Sequence, residues 1–221
     1  MADQDQHPGR LIAIDGTRGR DVARAASALL NALNAGGVEC AISRWDASGL
    51  FGELAAGAQG DPHLSPRALA LVYAADLVFR LRWEIRPALE RGGVVIAAPY
   101  VETAVAFGAA AGLDEAWLRE LLRFAPKPDL RGRSRERKPH RGWKPRLDRG
   151  YGEFAAALLR PSRQPVSRTD RRVAMALLDR RSGRKVYRLS DKGLAGLVRA
   201  VSGSSTAATR QSRAPRRSAR R

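Results

Sequence analysis

The chain predicts an α/β fold in three layers, a parallel sheet with helices on both faces. Three observations carry that expectation. Leu11–Ile14 and Val94–Ala97 are short runs that are apolar at every position, as strands buried on both faces must be. Stretches of helical period separate such runs, and glycine or proline punctuates each change. Strand–helix alternation of this kind builds a parallel sheet and not hairpins.

Residues 1–9 read as a disordered lead-in. After the strand Leu11–Ile14, Asp15, Gly16 and Gly19 supply turn chemistry, and Val22, Ala26, Leu29, Leu30 and Leu33 recur at helical spacing until Gly36-Gly37. A glycine-bearing turn between a buried strand and a helix N-terminus is where a phosphate-binding loop would sit, because backbone N–H groups and the helix dipole converge there. The pattern G-x-x-x-x-G-K-[ST] asks for a second glycine, a lysine and a hydroxyl. Counted from Gly16, those positions hold Asp21, Val22 and Ala23. Lysine would neutralise phosphate charge and the hydroxyl would ligate Mg²⁺. Valine and alanine do neither, and the Asp21 carboxylate repels phosphate. A turn kept for folding alone is the competing reading. Arg18, Arg20 or Arg24 offers a substitute guanidinium.

Val38–Ile42 reads as the second strand, ending in a loop at Ser43-Arg44-Trp45-Asp46, with a short helix around Leu50–Ala56. In open α/β sheets ligands bind at that carboxyl end. Ser65-Pro66 starts a long helix by cap and N1-proline chemistry. Leu69, Val72, Tyr73, Leu77, Leu81 and Ile85 supply its buried side, Pro87 should kink it, and Gly92-Gly93 stops it. The strand Val94–Ala97 follows, then a small-residue helix from Thr103 to Ala111 and one capped by Asp114 that runs to about Phe124.

Charge divides the chain. Residues 1–130 hold 13 basic and 16 acidic side chains, a net of −3, whereas residues 131–221 hold 27 basic and 6 acidic, a net of +21. A near-neutral body is therefore followed by a strongly basic third, which points to polyanion contact by the tail. The lone Cys40 forms no internal disulfide and suits a reducing cytosol. No apolar stretch is long enough for a membrane span, and MADQDQHPGR lacks the apolar core of a signal peptide. A cytoplasmic protein without a membrane partner is the expectation. His7, His63 and His140 lie in polar stretches without ligand spacing, so no metal site is expected.

The body resembles thymidylate kinase, a phosphate-loop nucleoside-monophosphate kinase. LIAIDGTRG, Ser43-Arg44, LALVYAADLVFRLRWEIRPALERGGVVI and PYVETAVAFGAAAGL carry the resemblance, which covers residues 10–130. The run IRPALERGGVVI followed by Tyr100 is its most specific part. The resemblance implies a phosphate-loop kinase sheet, dTMP and ATP as nucleotides, Mg²⁺ if the activity survives, and a homodimer. It also implies a damaged site. The family's Asp-Arg-Tyr triplet stands here as Ala98-Pro99-Tyr100, so the carboxylate near Mg²⁺ and the substrate-phosphate arginine are absent. Tyr73 replaces the phenylalanine that stacks on thymine, Leu77 an arginine, Phe107 a tyrosine, and Gly108 the base-reading glutamine, whereas Arg44 matches. The nucleoside pocket implied is Arg44, Tyr73, Tyr100 and Phe107, beside a degenerate phosphate loop of Asp15, Gly16, Arg18, Gly19 and Arg20. Packing alone would also explain the aromatics. One cationic contact can be worth roughly 10³–10⁵ in phosphoryl-transfer rate. With lysine, hydroxyl, carboxylate and arginine lost together, catalysis should be lost too.

Residues 131–201 read as a basic, lid-like insert followed by elements completing or flanking the core. RGRSRERKPH, from Arg131, has no aliphatic residue and should not enter a buried sheet. Val173–Leu178 would replace that strand, Lys185–Leu189 would follow a turn, and Asp191 would cap a helix to Val201. Residues 202–221 should be disordered. Residues 131–221 could hold nucleic acid nonspecifically through phosphate contacts, with Trp143 and Tyr151 stacking on bases.

Overall fold

The chain enters through strand β1 (Arg10–Asp15), continues in helix α1 (Gly19–Ala35) and returns as β2 (Cys40–Arg44). Then come α2 (Leu50–Gly57), α3 (Pro66–Arg80), a π-helical turn at Leu81–Ile85, α4 (Arg86–Glu90) and β3 (Val94–Ala98). Helices α5 (Val101–Ala110) and α6 (Glu115–Leu121), strands β4 (Leu130–Ser134) and β5 (Val186–Leu189), and α7 (Asp191–Gln211) are the remaining elements among the described residues. The structure is a computed structural model that describes residues 9–57, 65–134, 178 and 186–211, excluding the side chains of 54–57 and 203–211.

The five strands among the described residues are all parallel, in the order β2-β3-β1-β4-β5. Ile12 pairs with Ile96 on one side and Leu130 on the other. Alternation then assigns the faces. Ile12, Ile14, Gly132 and Tyr187 lie toward α1 and α7, whereas Ala13, Asp15, Arg131 and Arg133 lie toward α5 and α6. Val22, Ala26, Leu29 and Leu33 of α1 are buried at helical spacing against the first face, and Leu197 and Val201 of α7 join them. Fully burying one such aliphatic side chain stabilises by roughly 1.5–3 kcal/mol. The chain leaves β1 for β2 on one side and crosses from β3 to β4 on the other. The crevice of this topology therefore opens at the carboxyl ends of β1 and β3.

Ser65 caps α3 as expected, its Oγ accepting from the Ala68 N–H at 3.2 Å, and Pro66 opens the helix. The break at Pro87 is a π-turn: the Arg86 N–H donates to Leu81 O, five residues back. Pro87 lacks the N–H that Trp83 O would have received, so the register widens before it. β2 starts at Cys40 and not at Val38, because the Val38 N–H closes α1 by donating to Leu33 O. Burial pushes the Cys40 thiol up, which suits an unreactive strand cysteine. Asp114 caps α6 by accepting from the Trp117 N–H at 2.7 Å, and α6 ends at Leu121, short of Phe124.

Four expectations for the basic third are corrected. The Arg131 run does enter the sheet, with Leu130–Ser134 as β4 between β1 and β5. Alternation makes this tolerable: Gly132 and Ser134 turn their small, buried faces to α1 and α7, and Arg131 and Arg133 face the other way, half-buried. Leu178, the one described residue of Val173–Leu178, is buried and helical instead of extended. β5 follows within the expected Lys185–Leu189. Ser190, not Asp191, caps the next helix, its Oγ accepting from the Gly193 N–H at 3.4 Å, and Asp191 is the first helical residue. That helix runs past Val201 to Gln211, so residues 202–211, expected to be disordered, are helical. Trp143, Tyr151, His7, His63, His140 and most of the lid-like run lie outside the described residues. Among the described residues no helix is long and apolar enough to cross a membrane.

Candidate functional site

Three residues, Gly16, Thr17 and Arg18, join the end of β1 to α1. The turn is tight. A Cβ on Gly16 would collide with the Ser134 side chain and lie 2.9 Å from Val22 Cγ2, so only glycine fits there. Val22 is buried beneath the turn and Asp21 is buried beside it, while Ala23 is exposed. The N–H groups of Asp21 and Val22 both donate to Arg18 O at 3.0 Å, and the Gly16 N–H donates to Thr103 Oγ1 at 3.2 Å. These donors serve the fold. Arg24 pairs with Asp21 at 3.3 Å; Gly19 and Arg18 are half-buried and Arg20 is exposed at the mouth of α1.

Asp15 turns inward. Its Oδ1 accepts from the Tyr100 N–H at 3.0 Å, the Thr103 N–H at 3.0 Å and Thr103 Oγ1 at 2.7 Å. It thereby satisfies orphan donors at the start of α5 from a different strand. Burial pushes its pKa up, partly opposed by the Thr103 bonds.

Tyr73 and Tyr100 are brought together: Tyr73 Oη donates to Tyr100 O at 2.9 Å, and Tyr100 Oη donates to Pro126 O at 2.8 Å. Burial raises both phenol pKa values, with the Arg80 charge working against it. The Tyr73 ring is already stacked. Trp45 lies on it with centroids 4.9 Å apart and planes 15° apart, and Phe51 meets Trp45 at 5.6 Å. Two carboxylates hold Trp45 there. Asp46, at φ 60°, accepts from the Phe51 and Gly52 N–H groups, and Asp76 accepts from the N–H groups of Asp46 and Ser48 and from Ser48 Oγ. Burial raises the Asp76 pKa, with the Ser48 bonds and the Arg80 charge opposing.

Arg44 is not part of this group. It is exposed on the edge strand, and its Nη2 donates to Ser27 Oγ on α1 at 3.4 Å. Phe107 is buried in α5, and Leu77 is core. A Cβ on Gly108 would come within 2.8 Å of Leu118, so this position faces α6 and sets the α5–α6 approach.

Reading the sequence missed Arg80, which is fully buried between the ends of β2 and β3. Its Nε donates to Ser43 Oγ at 2.8 Å, and its Nη2 donates to Ser43 O at 2.9 Å and to Pro99 O at 3.0 Å. Ser43 Oγ in turn donates to Glu84 Oε2 at 2.6 Å, while Arg80 Nη1 has no hydrogen-bond partner among the described residues. The signal was present: Arg80 stands seven residues after Tyr73 and three after Leu77, on the buried stripe. Among the described residues no group of three or more His, Cys, Asp or Glu side chains is placed to hold a metal ion.

A five-stranded parallel sheet between helical layers, with a Gly-bearing turn after the first strand, defines an α/β protein consistent with the P-loop kinase fold. Comparison with known proteins is more particular. The chain is 34% identical over 131 residues to the probable thymidylate kinase of Thermococcus gammatolerans, covering 55% of this chain and 63% of that protein. It is 46% identical over 72 residues to the thymidylate kinase of Clavibacter sepedonicus, covering 31% and 34%. For the probable thymidylate kinase of Pyrococcus abyssi the match is 43% over 67 residues, covering 30% and 33%. These matches support a relationship to the thymidylate kinase family, over stretches that span between a third and under two thirds of each relative. No family model matches the chain.

Proposed function

We propose that this is a thymidylate-kinase-like protein that has lost phosphoryl transfer and acts by binding, as a nucleotide-binding or regulatory module with residues 10–130 as its core. One observation carries the reading: Val22 is packed under Gly16 where a phosphate-loop lysine would stand. The surrounding residues do not fit Mg²⁺-ATP. Ala23 has no hydroxyl for the ion, and Asp15 Oδ1 already accepts three bonds at the start of α5. Pro99 supplies no cation for a substrate phosphate. On this reading the nucleotide bound is dTMP or ATP, the base of dTMP reaches the Tyr73 ring only if Trp45 leaves it, and the protein works in the cytoplasm, as a homodimer.

The test is ADP release with ATP, Mg²⁺ and dTMP. We expect none above background, since the missing groups are each worth orders of magnitude in rate. Turnover that Arg18→Ala or Arg20→Ala abolishes would overturn the reading. The identity to proteins named thymidylate kinase favours such an outcome, an active divergent dTMP kinase with an arginine in the lysine's place. The net charge of +21 on residues 131–221 supports a third reading, nonspecific nucleic-acid binding through that region. Removing residues 212–221, which carry five arginines beyond α7 and none of the sheet, should then weaken DNA binding and flatten its salt dependence.

A further inference from the structure

The face of the sheet opposite α1 carries a charged cavity of about 290 Å³ between β1, β4 and α6. Its basic lining is Arg119 and Arg123 from the α6 region, Lys127, and Arg131 of β4, which pairs in register with Ala13. Its acidic lining is Asp15, turned to α5, and Glu102. Basic groups in the lining outnumber acidic ones four to two. Arg119 also pairs with Glu115 at 3.0 Å and Arg123 with Glu120 at 3.1 Å, so Arg131 and Lys127 are the cations with no acidic partner outside the lining among the described residues.

Glu102 shows what this place can hold. Its carboxylate bridges two guanidinium groups, accepting from Arg119 Nη2 at 3.3 Å and from Arg131 Nη1 at 3.4 Å. Charge-assisted bonds prefer about 2.7–2.9 Å, so both are long. Arg131 Nε is buried without a hydrogen-bond partner among the described residues, and Lys127 has no ion pair among them. A buried guanidinium nitrogen without a partner is costly, so Arg131 is under-satisfied and its long bond to Glu102 is one that an oxyanion in the cavity can replace. The volume lies at the lower edge of the roughly 300–1,000 Å³ of small-molecule pockets, enough for a phosphate or a small phosphomonoester.

We propose that this cavity binds a small oxyanion, inorganic phosphate or the phosphate of a phosphomonoester, with Arg131 as the central donor and Glu102 as an internal competitor. The site lies across the sheet from Val22 and α1, and it does not rest on the kinase-like reading.

The test is amide NMR of the full, ¹⁵N-labelled chain, titrated with inorganic phosphate at constant ionic strength. Residue-by-residue shifts separate the cavity from nonspecific binding along the basic third. Saturable shifts should appear at the amides of Glu102, Arg119–Arg123, Lys127 and Asp129–Arg131. Arg131→Gln should weaken the affinity about ten-fold or more, the size of one lost charge-assisted bond. Glu102→Gln should tighten it several-fold. Absence of saturable shifts there, or equal affinity in wild type and Arg131→Gln, would overturn the proposal. Should Arg131→Gln lose its dispersed spectrum, the exposed pair Arg123→Gln/Lys127→Gln takes its place, and unchanged binding in it is equally fatal. A parallel titration with dTMP separates the sources. Shifts at the same amides and none at Trp45 or Tyr73 assign a phosphomonoester, whereas a response to inorganic phosphate alone assigns the free ion.

Discussion

Asp15 was legible as a turn residue, but its partners were not, because the Tyr100 and Thr103 N–H groups come from a segment more than eighty residues away. Those bonds and burial act on its proton in opposite directions, and burial wins. The folded protein thus holds the proton more tightly than the unfolded chain does. Stability owed to Asp15 therefore falls as pH rises through the ordinary value of 3.8 towards the raised folded one, and is level above it. Asparagine does not titrate, and its carbonyl oxygen can accept the same three bonds. The free-energy difference between Asp15→Asn and wild type should shift in the variant's favour with rising pH. Within that window the slope is at most about 1.4 kcal/mol per pH step of one. Urea unfolding at several pH values from 4 to 7 measures it, and a difference moving the other way would mean that the Thr103 bonds outweigh burial.

At the scale of elements, Trp45, α2 and α3 decide whether a base can reach Tyr73. Helical spacing made Tyr73 readable as a buried aromatic, but its cover was hidden, since Trp45 sits in a loop whose shape depends on Asp46 and Asp76. β4 was misjudged for a related reason. Counting its arginines said nothing of alternation, which gives Gly132 and Ser134 the face that must be small. The helices and the first three strands were legible because period and caps are local; the strand order and Arg80 depended on contacts far along the chain. Trp45→Ala should uncover the Tyr73 ring at a cost of roughly 3–5 kcal/mol, less where exposure of the indole already reduces its burial. If a nucleoside site survives beneath it, calorimetry should then detect dTMP binding stronger than in wild type. A variant that folds and binds dTMP no better would show that Trp45 belongs to the core and guards nothing.

For the whole molecule, one surface remains that no described element covers. Leu71, Val78, Phe79 and Trp83 are exposed by 50%, 50%, 37% and 62% along α3 and the π-turn. Leu71 and Val78 are seven residues apart, and Phe79 and Trp83 four, so the helix gathers them on one side. The opposite side of α3 buries Leu69, Tyr73, Leu77 and Arg80. A lone exposed apolar residue would mean little, but four large ones along one helix form a patch of the kind that marks association. A second copy of the chain can match such a stripe with its own, because an isologous contact needs only a self-complementary surface. The near-neutral charge of residues 1–130 opposes this little, whereas the +21 of residues 131–221 would repel a partner that met it there. Light scattering at tens of micromolar should therefore give twice the 24.0 kDa of the single chain. Trp83→Glu with Val78→Glu should return the monomer without loss of helical content, since both side chains already meet water. A wild-type mass of 24.0 kDa would exclude the dimer, and persistence of the double mass in that variant would place the contact elsewhere.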